Sequence, residues 1–208
     1  MQTNSQALSI YDLSQHWQEV FSRRLAIGIA DNDLTSVALL PAENQILASL
    51  PDLRKKSWVR GRKALKMVLQ SLGLSLDTSQ LCWPHPFLSL SHSGKIAIAV
   101  ASFEPSLGIG IDLECYRHIP KGALDYYLSA AEAQSVASNA DALRLWTVKE
   151  AIFKADPNNE HTLLSSYEVA DPRQASGESR SKCKNENAVW TYDSVCIGAD
   201  FVSLSILK

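Results

Sequence analysis

Two pairs of residues in this chain have types and spacing suited to chemistry: Asp112 with Glu114, and Glu150 with Lys154. In a strand, residues two apart project from one face, so Asp112 and Glu114 leave together while Ile111 and Leu113 turn to the opposite, buried side. Carboxylates that close raise each other's pKa unless a cation or a basic group neutralises them. Carboxylate oxygens with room for water are what Mg²⁺ selects. In a helix, Trp146, Lys149, Glu150, Phe153 and Lys154 form one stripe, with an acid and a base beside two large aromatics. Each pair has an ordinary alternative. An isolated Asp-x-Glu is more often a solvated strand end, and a Glu-x-x-x-Lys pair is more often an exposed helix contact worth about 0.3 kcal/mol. The aromatic neighbours weigh against the second alternative, because Trp146 and Phe153 draw their stripe inward towards a cleft.

These groups need elements to hold them. Leu107 to Glu114 reads as a strand, and Ala130 to Ala137 and Ala140 to Ala155 read as helices. Upstream, Leu25 to Ala30 reads as a buried strand, and Leu53 to Leu72 as a basic amphipathic helix ending near Gly73. Phe87 to Gly94 alternates apolar and polar residues into a turn, with Lys95 to Ala101 returning as the second strand of a hairpin. Met1 to Trp17 reads as a mobile tail leading into a short amphipathic stretch at Trp17, Val20 and Phe21. Asp171 to Asn187 reads as a polar surface loop between a strand at 166–170 and a terminal hairpin, Ala188 to Ile197 with Ala199 to Leu207.

Leu25-Ala26-Ile27-Gly28-Ile29-Ala30 matches Leu107-Gly108-Ile109-Gly110-Ile111-Asp112, and Trp58, Arg62 and Lys66 then fall opposite Trp146, Glu150 and Lys154. The chain reads either as a degenerate repeat or as the chance likeness that apolar strands and amphipathic helices share, and the repeat has a chemical consequence. Ala30 and Arg62 stand where the second copy has Asp112 and Glu150, so one cation site per chain is expected, with Glu114 its least certain ligand.

Gly110-Ile111-Asp112-Leu113-Glu114, followed by Trp146-Thr147-Val148-Lys149-Glu150-Ala151-Ile152-Phe153-Lys154, resembles the paired signature of the 4'-phosphopantetheinyl transferases. Phe87 to Ser93 resembles the family's Ser-His element, Leu128 to Glu132 its Phe-Ser-x-x-Glu element, and Arg60-Gly61-Arg62 a helix start of the longer, monomeric, surfactin-type branch. The resemblance implies an α+β fold of two similar halves, 1–104 and 105–208, each a small antiparallel sheet packed on a long helix. It implies transfer of the phosphopantetheine arm of coenzyme A to a serine of an acyl or peptidyl carrier protein, as in a holo-acyl-carrier-protein synthase, releasing 3',5'-ADP. Asp112, Glu114 and Glu150 are then the Mg²⁺ ligands and Asp112, Glu150 and Lys154 the catalytic set. Glu150 is the favoured general base, with a cation-held water as the alternative. The coenzyme A contacts implied are Arg54, Lys55, Lys56, Arg62, Ser91, His92, Lys149 and Lys154. The family's Gly-Lys-Pro loop is missing, since Leu81 to Phe87 contains no lysine. Two other readings stand beside this one: a related protein that binds coenzyme A or a carrier with weak transfer, and a Mg²⁺-dependent phosphoanhydride hydrolase.

The 208 residues, 46% hydrophobic and 20% charged, suffice for a sizeable core. A net charge of -2 argues against non-specific nucleic-acid binding. Cys82, Cys115, Cys183 and Cys196 are scattered, no secretory signal is evident, and no apolar run reaches the ~20 residues of a spanning helix. A monomer in the cytoplasm, with no membrane contact, is the expectation.

Overall fold

A computed structural model describes residues 10–34, 37–104, 106–182 and 188–208. The chain runs α1 (Ile10–Phe21), β1 (Leu25–Ala30), α2 (Pro41–Ser49), α3 (Asp52–Ser71), β2 (Leu88–Ser93), β3 (Ile96–Ser102), β4 (Ile109–Glu114), α4 (Ala130–Ser135), α5 (Asn139–Ala155), β5 (Tyr167–Val169), β6 (Ser176–Ser181), β7 (Val189–Ile197) and β8 (Asp200–Leu207). Two antiparallel sheets result, ordered β1-β3-β2 and β4-β8-β7-β6-β5. The fold is α+β, as the sequence implies.

The same path is traced twice. A first strand leads into helices, a hairpin follows, and the last hairpin strand returns to pair with the first: β1 with β3, then β4 with β8. Alternation along the strands explains the layers. Ile98, Val100, Ile109, Ile111, Val202, Leu204 and Ile206 turn their large side chains into one core shared by both sheets. The alternate positions carry small residues, because a long helix lies directly on them. An added Cβ at Gly28 would stand 2.4 Å from the Ala64 carbonyl oxygen of α3, and one at Gly110 would stand 1.9 Å from that of Ala151 in α5. These glycines let each helix rest on strand backbone, which fixes helix against strand closely.

Between the sheets the seam is made by side chains. β2 lies beside β4, and every second residue of β2 is a serine reaching across. Ser89 Oγ accepts from Ile111 N at 3.0 Å, Ser91 Oγ donates to Asp112 Oδ1 at 2.7 Å, and Ser93 Oγ donates to Glu114 Oε2 at 3.1 Å.

Three expectations need correction. Residues 10–17, read as tail, are helical: Leu13 and Trp17 are fully buried in the shared core, and Trp17 Nε1 donates to Asp193 of β7 at 2.8 Å. Burying Trp17 contributes on the order of 3 kcal/mol, which extends the amphipathic stretch expected at Trp17, Val20 and Phe21 back to Ile10. The remainder of that expected tail, 1–9, lies outside the described residues. The expected loop at 171–187 contains β6, whose polar Ser-Gly-Glu-Ser-Arg-Ser run is held by ladders to β5 and β7. Residues 183–187 lie outside the described residues, as does Pro105 at the expected boundary between halves. Helix α2 was not anticipated; it starts on Pro41, which suits a first helical position.

Candidate functional site

Strand β4, helix α5 and strand β2 meet around a cleft of about 500 Å³ whose walls include Ser91, His92, Asp112, Glu114, Trp146, Glu150, Phe153 and Lys154. β4 presents Asp112 and Glu114 on its helix-facing side, while Ile111 and Leu113 enter the core. α5 is started by Ser138, whose hydroxyl accepts from Asp141 N, and its Trp146, Glu150, Phe153 and Lys154 face the cleft, whereas Lys149, expected on the same stripe, does not. The contact of Gly110 with the α5 backbone sets the two elements in register.

At the centre is an ion pair. Lys154 Nζ donates to Asp112 Oδ1 at 2.7 Å, to Ser91 Oγ at 3.2 Å and to the Ile111 carbonyl at 3.2 Å, and Ser91 Oγ donates to the same Oδ1. Asp112 Oδ2, by contrast, is buried and has no hydrogen-bond partner. A carboxylate oxygen left this way costs about 1–3 kcal/mol, which makes it a place for an electrophile. Burial pushes the Asp112 carboxyl up, against the pull of Lys154 and Ser91. Glu150 is half-buried and is likewise pushed up, first by burial and then by the negative charge of Asp112, with Lys154 opposing.

The donor chemistry of Asp112 and Glu150 fits a hard divalent cation: Oδ2 is unsatisfied, and two mutually repelling carboxylates border one space. Among the described residues, no three His, Cys, Asp or Glu side chains stand together as a ready-made metal centre. Glu114 shows why. Both its oxygens are engaged, by Arg117 at 3.2 and 3.3 Å and by Ser93 at 3.1 Å.

The basic residues divide. Lys154 and His92 line the cleft. The His92 ring is held below its ordinary pKa by desolvation and then by the positive charges of Lys154, Arg60 and Arg54, so Arg54 stands within electrostatic reach. Lys55 pairs with exposed Asp52 at 2.7 Å, and Lys56 is exposed on α3 away from the lining. Arg62 turns inward, donating to the Thr78 carbonyl at 3.1 Å with its guanidinium 4.9 Å from the Trp58 ring. Lys149 is fully buried on another side of α5, bound to Glu132 at 2.8 Å and to the Tyr167 carbonyl.

Several residues at the site escaped sequence reading. Trp83 and Asn159 line the cleft, and Arg117 lies over the Trp146 ring at 5.2 Å. Arg60 is buried and clamps the β2–β3 turn, donating to the Asp31 carbonyl at 3.2 Å, to Asn32 Oδ1 at 2.9 Å and to the Gly94 carbonyl at 3.4 Å. A basic run hides which of its members is internal; no local signal separates Arg60 from Arg54.

A family model described as the 4'-phosphopantetheinyl transferase superfamily matches residues 108–201. Over those residues the chain is similar to that superfamily. A curated relative, the 4'-phosphopantetheinyl transferase Npt of Nocardia iowensis, is 29% identical over 127 residues, 55% of this chain and 57% of that protein. The chain thus spans little more than half of that relative's length. The superfamily segment contains Asp112, Glu114, Glu150 and Lys154, whereas Ser91, His92 and the α3 basic run precede it.

Proposed function

We propose that the chain moves the 4'-phosphopantetheine arm of coenzyme A onto a serine of an acyl or peptidyl carrier protein, releasing 3',5'-ADP. The observation that carries this reading is the Lys154–Asp112 pair in the cleft, with Asp112 Oδ2 unsatisfied and Glu150 alongside. The superfamily match supports it.

In this reaction the serine oxygen attacks the pantetheine-bearing phosphorus of the pyrophosphate, and the bond from that phosphorus to the bridging oxygen breaks. The serine proton passes to a base, and the electron pair leaves with 3',5'-ADP. Catalysis is mostly positioning and charge neutralisation. Lys154, fixed by three acceptors, holds its positive charge at the cleft where the pyrophosphate would lie. Glu150, in the cleft beside Asp112 and Lys154, is the proposed base. A divalent cation, held by Asp112 and Glu150, would neutralise charge on the pyrophosphate oxygens. Ser91 fixes Asp112, and His92 in the cleft, with Arg54 within electrostatic reach of it, suits the terminal 3'-phosphate. The reading takes residues 1–104 as the half that supplies the basic helix and the Ser-His hairpin, and 105–208 as the half that supplies the acids. Both walls then come from one chain, which supports a monomeric enzyme.

The test is intact-mass spectrometry of apo carrier proteins incubated with the protein, coenzyme A and Mg²⁺. A phosphopantetheine mass gain is expected on at least one carrier. No gain across fatty-acid, polyketide and nonribosomal-peptide carriers overturns the reading, and 3',5'-ADP appearing from coenzyme A alone replaces it with hydrolysis.

A further inference from the structure

The buried side chain of Arg60 is held by neutral acceptors. It leaves α3 beside Gly61, which packs on Leu90 of β2, and it is not part of the cleft wall. Nε donates to the Asp31 carbonyl at 3.2 Å, Nη2 to Asn32 Oδ1 at 2.9 Å and Nη1 to the Gly94 carbonyl at 3.4 Å. Two carbonyls and an amide satisfy these donors but do not cancel the charge. Asp31 turns its own carboxylate back on the loop, where Oδ1 accepts from Asp33 N at 3.0 Å. A buried charge bonded in this way projects its field beyond its partners.

The β2–β3 turn sets where that field is felt. Gly94 lies two residues after His92. Ser91 and Ser93 reach across the seam to Asp112 and Glu114, which leaves His92 on the other face of β2 with Leu90, the face on which α3 lies. The His92 ring is held below its ordinary pKa first by desolvation, then by Lys154, with Arg60 and Arg54 adding to the effect. Positive charges from α3 and α5 thus meet at one ring of the cleft wall. Gathering them there is unfavourable, and a phosphate monoester, with about two negative charges at neutral pH, relieves it. We propose that Arg60 is a positioning residue for the nucleotide end of the substrate: from behind the turn it fixes His92 and supplies an uncancelled positive charge, which sets how strongly the cleft prefers a nucleotide carrying a terminal phosphate monoester over one without it. The proposal rests on the coenzyme A reading above and adds a residue that acts on the ligand through His92.

The preference is read by isothermal titration of the whole chain with adenosine 3',5'-bisphosphate and with adenosine 5'-monophosphate, and thermal melting checks each variant's fold. Wild-type protein should bind the bisphosphate at least about 10-fold more tightly. Arg60→Gln should cut that ratio about 5-fold or more, whereas Arg60→Lys, which keeps the charge, should hold it within about 3-fold of wild type. Asn32→Asp separates charge from clamp. It replaces the amide that accepts from Nη2 with a carboxylate, so the bond is kept and the charge cancelled. The ratio should fall about as far as in Arg60→Gln with the melting temperature retained. Asn32 is exposed, so this variant decides the matter even if Arg60→Gln fails to fold. An unchanged ratio in Asn32→Asp, or an equal fall from Lys56→Gln on the exposed face of the same helix, overturns the proposal, and carrier modification alone then judges the transferase reading. Wild-type protein without a preference for the bisphosphate overturns the proposal together with the placing of a terminal phosphate at His92.

Discussion

Strands β1 and β4 carry the same alternation of small and large residues up to the helix-facing position where one has Ala30 and the other Asp112. The helices above them diverge at the matching place. α5 sends Glu150 and Lys154 into the cleft, whereas in α3 Arg62 bonds to the Thr78 carbonyl and Lys66 to Glu43 at 2.8 Å. What the halves share is structural. In each, a glutamate at the third position of a short helix is buried, accepts from its own cap residue's backbone N–H, and pairs with a lysine of the long helix: Glu43 with Lys66, and Glu132 with Lys149. Each also accepts a backbone N–H from the segment after the long helix, Thr78 or Val169. The shared scaffold therefore sets helix against strand in both halves, and a few substitutions at one strand end separate a reactive cleft from a sealed one.

The comparison breaks first if Lys149 belongs to the substrate site and not to the scaffold. Lys149→Ala leaves Glu132 buried and unpaired and should cost about 3–5 kcal/mol in urea unfolding, against about 1–2 kcal/mol for Lys66→Ala, whose ammonium is partly exposed. Stability near wild type with a raised KM for coenzyme A would reassign Lys149. Next comes activity. Asp112→Ala should slow carrier modification about 10²- to 10³-fold with the melting temperature kept, whereas Lys66→Ala should keep the rate of the folded fraction within about 2-fold. A comparable loss from Lys66→Ala would place chemistry in the first half.

A third effect is set by pH. Glu43 is lowered from 4.5 to about 2: burial alone would raise it, but Lys66, Thr78 and two backbone N–H groups outweigh that. A depressed folded-state pKa stabilises above the unfolded value and loses that stability as pH falls through the folded one. Glu43→Gln should therefore cost up to about 3 kcal/mol at neutral pH, and the gap from wild type should close between about pH 4.5 and 2. A gap that stays constant over that range would remove the ionised pair from the first half's stability. The smallest effect concerns the seam: Ser89→Ala, which removes only the acceptor of Ile111 N, should cost about 1 kcal/mol in the same unfolding measurement. No loss would mean that the Ser89 bond adds nothing to the seam.

Much of the site's scaffold was legible because it rests on short-range periodicity. Period two put Asp112 with Glu114, and a helical repeat put Glu150 with Lys154 and the aromatics. What depends on distant partners was not legible. Lys149 is one residue from Glu150, and nothing local shows that Glu132 waits on its side of α5. β6 carries no apolar residue of its own, so its strand state comes from β5 and β7. Leu13 stands one helical turn before the amphipathic stretch at Trp17, Val20 and Phe21, and only the core between the sheets gives it a socket.

Helix α1 also has a consequence for how the chain is made. His16 and Trp17 both bond to Asp193, more than 170 residues later in synthesis. At about 5–20 residues per second, α1 leaves the ribosome roughly 10–35 s before its anchor exists. β4 waits in the same way for β8 before its own ladder can form. The acidic strand is therefore completed last, and a stalled chain carries Asp112 and Glu150 with no finished sheet to hold them.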